Sequence, residues 1–276
     1  MPKKNLSSSG QIGPLSVGNV VSASLRIYRD HFKSYFRLAL VAYLWLLLPI
    51  YGWAKYSAIS ALISRLAFGE VREKPETVSD AHREVNPRMW SFLGAGILTS
   101  LIYIGVYVAG SIAIAILAGG AAAIFGQNSV AIAALLVVVT VIALLIIYIR
   151  IISRLLIVEL PLAIENNIGA TSAISRSWEL TKGSVGRIQW IVFVGILVSL
   201  PITIVVQILS VIVQSVLTAV LGAESPTFFL VYYLLILLLS LGSGALVTPF
   251  WQAMKAIIYY DLRSRKEGLG LQMRKR

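Results

Sequence analysis

The 276-residue chain contains no cysteine. That excludes disulfides, thiolate nucleophiles and cysteine metal sites, and says nothing about compartment. Charge is scarce as well: Asp, Glu, Lys and Arg make up 13% of the residues, about half the share in a soluble domain. Acids are rarer than bases, 12 against 24, and there are two histidines, His31 and His82. No H-E-x-x-H, phosphate-binding glycine loop or G-x-S-x-G is present, so the common metallohydrolase, nucleotide-binding and serine-hydrolase motifs are missing. His82-Arg83-Glu84 has no downstream partner and reads as a solvated face. No catalytic residue, metal, cofactor or nucleic-acid partner is expected.

What the chain has in abundance is apolar side chains, 58% of the total. This balance marks an integral membrane protein. A membrane-spanning helix needs about 20 apolar residues, and four stretches meet that need: Trp90–Leu117, Ala131–Ile149, Ile188–Val216 and Phe228–Ile258. A fifth, Leu38–Trp53, is short, holds Pro49 and Gly52 and is followed by Lys55. The expected fold is all-α and polytopic, with four long transmembrane helices plus one short or re-entrant hairpin. Residues 16–268 are expected to form one helical membrane domain. Residues 1–15, which start basic but lack the apolar core of a signal peptide, read as a disordered tail, and 269–276 as a basic C-terminal tail.

The basic residues sort by side. They fall before Leu38, from Lys55 to Arg88, from Arg150 to Arg187, and from Lys255 onward, while the connectors Gly119–Val130 and Leu217–Thr227 hold none. With four spans, all 24 lie on one face, which the positive-inside rule makes cytoplasmic. Both termini are then cytoplasmic, and Leu38–Trp53 is re-entrant with Pro49 and Gly52 near its turn. The alternative is a short, tilted fifth span, which moves the N-terminal cations to the other side.

A unit recurs. Displaced by 150 residues, Ala23–Val41 overlies Ala173–Ile191, matching Arg26 with Arg176, Tyr28 with Trp178 and Arg37 with Arg187. A looser copy starts at Ser79, and Pro49…Lys55 overlies Pro249…Lys255. The unit reads as an interfacial helix followed by a hydrophobic hairpin, used three times. In Val17–Phe36 the positions Val17, Val21, Leu25, Tyr28, Phe32 and Tyr35 keep helical spacing, opposite a polar face with Arg26, Arg29, Lys33 and Arg37. Such a helix lies in the headgroup plane, where each cation near an anionic surface contributes about 1 kcal/mol. Arg26, Arg29, Lys33, Arg37, Arg176, Lys182 and Arg187 are therefore the candidate contacts to lipid headgroups. Glu159, Glu165 and Asp261 are expected to form structural ion pairs with Arg150, Arg154 and Lys255.

One polar pattern lies inside an apolar stretch. Ser199, Thr203, Gln207, Ser210, Gln214 and Thr218 share one helix face, beside Pro201. Ser100, Tyr103, Tyr107 and Ser111 form a weaker stripe. An unsatisfied polar group in hydrocarbon costs several kcal/mol. The stripe therefore implies either hydrogen bonds between helices, with Gly242, Ser243 and Gly244 permitting close approach, or the wall of a polar groove.

Two stretches, SRSWELTKG and TPFWQAMKAIIYYDLRSRKEG, resemble the membrane domain fused to some bacterial glycerophosphoryl diester phosphodiesterases. That domain also occurs alone in many bacterial, often cyanobacterial, membrane proteins. The resemblance covers about Val17 to Leu271 and is most distinctive at Ser177–Gly183 and Tyr259–Gly268. It implies a polytopic helical fold in a bacterial plasma membrane, or a thylakoid membrane in a cyanobacterium. It does not imply catalysis, because the phosphodiesterase chemistry belongs to a separate barrel. The expected function is organisation of anionic lipids or partner proteins, including a homo-oligomer, at the cytoplasmic leaflet. The alternative is a transporter or channel-like protein for a small polar or lipid-like substrate.

Overall fold

The computed structural model describes residues 15–125 and 130–268. The two outer tails, residues 1–14 and 269–276, and the center of the first connector lie outside it. Among the described residues there is no strand. Ten helices follow in order: α1 (Val17–Asp30), α2 (Phe32–Trp45), α3 (Tyr51–Val71), α4 (Val78–Val85), α5 (Met89–Phe125), α6 (Val130–Leu155), α7 (Glu159–Ile164), α8 (Ala170–Thr181), α9 (Val185–Leu221) and α10 (Pro226–Glu267). A 3-10 turn, Asn86–Arg88, joins α4 to α5.

Four helices are long and apolar enough to cross a membrane, and they carry the four expected spans: α5, α6, α9 and α10. At 1.5 Å per residue they measure about 39–63 Å, more than the roughly 30 Å hydrocarbon core. The excess runs into a compact layer at one end, here the basic end. Beyond that layer the helices touch mainly along their hairpin partners, and their outer faces, with side chains such as Leu135, Ile146, Ile204 and Leu230, are exposed. Such faces are stable only in a medium as apolar as themselves.

The repeated unit is visible in three dimensions. Each copy is one short amphipathic helix followed by a helical hairpin: α1 then α2–α3, α4 then α5–α6, and α8 then α9–α10. Antiparallel pairing in the two long hairpins shows in the contacts of Tyr103 with Tyr148 (5.9 Å between rings) and of Gly195 with Met254. The segment Val17–Phe36 is broken at His31, so the expected single amphipathic helix is two. Ser16 caps α1 by accepting the Asn19 N–H at 3.1 Å.

The first hairpin is short and wholly local to the basic end. α2 has 14 residues, about 21 Å, too few to cross. Its chain reverses in Leu46–Ile50, which holds Pro49, and Gly52 lies in the first turn of α3, as expected. The hairpin extends well beyond Leu38–Trp53, however, since α3 continues to Val71 as a buried helix. The reversal is tight. Tyr51 N–H donates to Pro49 O at 2.7 Å around Ile50 at φ 61, ψ −71, a strained γ-turn. A Cβ on Gly52 would stand 1.8 Å from the Trp45 carbonyl oxygen, so only glycine permits the crossing.

α3 and α10 run in the same direction, with Ser64 beside Gln252 and Phe68 beside Tyr259. Tyr43 packs on Gly244 of α10, and α10 continues about 27 Å farther, back to Pro226. Beyond that contact, where Tyr43 also meets Tyr56, the hairpin has only Leu44–Lys55 left, so its tip stops far short of the other end. The tip is apolar and exposed: Leu47, Leu48, Ile50 (61%), Tyr51 and Trp53, with Trp90 alongside. The core below it is built from α3, α7, α8 and the basal halves of α9 and α10, and includes Leu62, Ile63, Leu160, Leu180, Ile188 and Ile257.

Candidate functional site

Charge at the basic end divides into a paired set inside and an unpaired set outside. Three carboxylates organise the inside. Glu159 Oε1 accepts from Ser64 Oγ at 2.8 Å and from Lys255 Nζ at 3.3 Å. Glu165 accepts from the Tyr259 hydroxyl at 2.5 Å and from Arg176 Nε at 3.2 Å, while its backbone carbonyl accepts from Arg88 at 2.7 Å. Asp261, 5% exposed, accepts the Leu15 N–H at 3.1 Å and the guanidinium groups of Arg187 and Arg265.

The expected acids are thus structural, but most of their partners differ from the expected ones. Lys255 is the single partner correctly anticipated. Arg150 and Arg154 pair with no carboxylate among the described residues. The acids instead meet cations brought from α8, α9 and the end of α10, distant in sequence and adjacent only because those helices converge.

This convergence splits the candidate lipid contacts. Arg176 is held by Glu165, Glu267 and Glu179, and Arg187 by Asp261 and the Leu15 carbonyl. Both guanidinium groups are largely committed inside the protein. Arg26, Lys33 and Arg37 are exposed and pair with nothing among the described residues. Arg29 is exposed and, among the described residues, meets only the exposed Asp30 at 3.6 Å, a surface pair of about 0–1 kcal/mol. Arg26 and Arg37 are the repeat equivalents of Arg176 and Arg187, so the two copies put the same cations to different uses. The apolar face opposite them is divided too: Val20, Val21, Tyr28 and Tyr35 pack inward, with the Tyr28 hydroxyl donating to Leu246 O at 2.8 Å. Leu25 and Phe32 stay exposed.

The SRSWELTKG stretch has a residue-by-residue account. Ser177 and Thr181 are both fully buried; Ser177 Oγ donates to the Arg154 carbonyl at 2.7 Å, capping the end of α6, and Thr181 Oγ1 donates to Ser177 O at 2.8 Å. Leu180 fills the core. Trp178, 46% exposed, stacks under the Arg154 guanidinium at 4.5 Å, and Arg154 Nη1 donates to Trp178 O at 3.2 Å. Lys182 is exposed at the helix end, and Gly183 takes φ 83, a conformation suited to glycine. Between these elements lies an open groove of about 490 Å³ lined by Ile102, Arg154, Leu155, Ile174, Ser175, Trp178, Glu179 and Lys182. Of its cations, sequence reasoning had placed Lys182 at the headgroup surface but assigned Arg154 to an ion pair.

Among the described residues the polar stripe makes no hydrogen bond to another helix. Ser199, Thr203 and Ser210 donate to carbonyls of their own helix, those of Gly195, Ser199 and Val206. Thr203, Gln207, Gln214 and Thr218 are exposed, and the two glutamine amides have no partner among the described residues. Of the two roles open to the stripe, interhelical bonding has no partner among the described residues of the single chain. Of the small residues Gly242, Ser243 and Gly244, Gly244 meets a close neighbour while Gly242 faces open space, and the approach serves Tyr43, whose ring rests on Gly244 and whose hydroxyl meets Thr248 Oγ1 at 3.0 Å. In the weaker stripe Tyr103 faces Tyr148, and Ser111 bonds its own helix at Tyr107 O.

No group of His, Asp or Glu among the described residues is arranged to hold a metal ion. No family model, no curated protein and no solved structure matches the chain at a significant level.

Proposed function

We propose that this chain is a non-enzymatic membrane protein that organises anionic lipids, or partner proteins through them, at the cytoplasmic leaflet. The observation that carries the reading is the contrast between paired and unpaired cations. Nearly every acid near the core is spent on Arg176, Arg187, Lys255 or Arg265, while Arg26, Lys33 and Arg37 form an exposed set beside the exposed apolar side chains of Leu25 and Phe32. Cations next to exposed apolar side chains suit a headgroup layer above acyl chains. The likeness to the glycerophosphodiester phosphodiesterase membrane domain is part of the proposal. Its two distinctive stretches supply cap, core and ion-pair residues here, which supports a scaffold role for them. The membrane is a bacterial plasma membrane or, in a cyanobacterium, a thylakoid, with both termini cytoplasmic.

Topology and lipid preference test this together. Single cysteines at Ser7, Ser79, Ser184 and Ser264 should label from the cytoplasmic side, and those at Gln127 and Ser225 from the other. Protein in mixed nanodiscs should gather anionic over zwitterionic lipid, an enrichment that weakens with salt and is reduced in the Arg26→Gln/Lys33→Gln/Arg37→Gln variant. External labelling at Ser7, or enrichment indifferent to salt and to the variant, defeats the proposal.

A second reading, transport of a small polar or lipid-like substrate, is favoured by one observation, the unpartnered amides of Gln207 and Gln214. Solute flux in proteoliposomes that disappears in Gln207→Leu/Gln214→Leu would establish it over the first.

A further inference from the structure

We propose that the groove between the C-terminal ends of α6 and α8 binds one anionic glycerophospholipid, its phosphate on Arg154 and Lys182 and an acyl chain along Ile102 and Ile174. The inference deepens the lipid-organising reading and rests on it, since it requires the basic end to face an anionic leaflet. It adds a defined site and a ligand class to what is otherwise a diffuse electrostatic attraction.

The groove has a charged end and an apolar wall. At the charged end Arg154 is fixed by its stack on Trp178 and its bond to Trp178 O, yet it has no carboxylate partner among the described residues. A guanidinium has five N–H donors, so most of its capacity remains. Lys182 is set in place by the end of α8 and the turn at Gly183, and its ammonium bonds nothing among the described residues. Lys266, outside the lining, donates to the backbone carbonyl of Glu179. Arg150 lies one helical turn from Arg154 on the same side of α6 and is exposed.

These cations repel one another. Lys266, in the basal last turn of α10, is held below the usual lysine range by partial burial, and Lys182, Arg154 and Arg265 lower it further against the opposing pull of Glu179. Glu179 is the single acid lining the groove. Its carboxylate is 72% exposed and turned toward Arg176 at 3.8 Å, so the groove keeps a net positive charge. A bound anion relieves that repulsion, and a phosphate oxygen is the acceptor an arginine fork fits best.

The apolar wall selects the source of the phosphate. Ile102 on α5 and Ile174 on α8 line the groove beside the largely buried Leu155, and Ile102 leads onto the exposed apolar outer face of a spanning helix. A free phosphate leaves that wall in contact with water, whereas an acyl chain covers it. The volume, about 490 Å³, accommodates a phosphoglycerol headgroup and the start of a chain.

The test uses the full chain in nanodiscs of phosphatidylcholine, titrated with fluorescent phosphatidylglycerol and read by energy transfer from tryptophan. Wild-type protein should show one saturable site above the diffuse background. Arg154→Gln/Lys182→Gln should weaken it roughly twenty-five-fold, from two charges at a factor of about five each. Lys182→Glu, at an exposed side chain with no internal bond, should weaken it at least as much as Lys182→Gln while leaving the melting temperature unchanged, which separates site loss from misfolding. The Arg26→Gln/Lys33→Gln/Arg37→Gln variant should lose diffuse enrichment and keep the saturable site. If it abolishes diffuse enrichment and Lys182→Glu leaves the saturable site intact, the broader reading stands and the groove assignment is wrong. If no variant alters either signal, both fall. Competition by inorganic phosphate as effective as that by phosphatidylglycerol would show a free-anion site and overturn the lipid assignment.

Discussion

Substituting Gly244 by alanine tests how the α2–α3 hairpin is held. A Cβ at this position would lie 2.4 Å from the Tyr43 ring and 2.6 Å from its hydroxyl oxygen, so the ring must withdraw by about 1 Å to reach ordinary contact. Overpacking of this kind costs about 1–3 kcal/mol. Withdrawal also breaks the 3.0 Å bond from Tyr43 to Thr248, worth about 0.5–1.5 kcal/mol. Alanine recovers about 0.5–1 kcal/mol as the better helix former. The net is a destabilisation of about 2 kcal/mol, seen as a lower unfolding temperature in detergent and faster proteolysis in the Leu46–Ile50 turn. The decisive comparison is the same change made in Tyr43→Ala protein. There the ring is gone, clash and bond loss vanish, and only the helix gain remains, so Gly244→Ala should become neutral or mildly stabilising. A cost that is equal in both backgrounds would mean that Tyr43 does not seat on Gly244.

Asp261→Ala leaves Arg187, Arg265 and the Leu15 N–H short of an acceptor in a buried site, and should cost about 3–5 kcal/mol in denaturant unfolding; a cost under about 1 kcal/mol would show the cluster to be solvated. Ile50→Gly relieves a β-branched residue at positive φ, a strain of order 1–3 kcal/mol, and should raise the unfolding temperature; a fall would mean that the exposed side chain matters more than the turn. Gln207→Leu and Gln214→Leu should leave the stability of the detergent-solubilised monomer unchanged or improved, because neither amide has an intrachain partner among the described residues; a loss of about 0.6 kcal/mol per site, typical of interhelical bonds, would reveal a partner helix.

Apolar run length and charge placement were sufficient for the spans. Hydrocarbon solvates no backbone group, so any long uncharged stretch must become a helix regardless of its neighbours, and α5, α6, α9 and α10 follow. The same local logic reached the hairpin reversal at Pro49, and the repeat, whose three copies reappear as helix plus helical hairpin. Pairing within the basic layer was decided elsewhere. A guanidinium bonds whichever carboxylate the folded chain delivers within about 4 Å, and no periodicity in the sequence records that distance. Arg154 thus lost its expected acid and gained Trp178, while Arg176 and Arg187 were drawn from the surface into carboxylate clusters. Gly244 was recognisable as a place of close approach, but not as the seat of Tyr43, 201 residues earlier in the chain. Composition and pattern determined what must lie in the membrane, because the solvent enforces it residue by residue. Tertiary structure alone decided which cations remain free to meet a lipid, because that depends on which acids arrive beside them first.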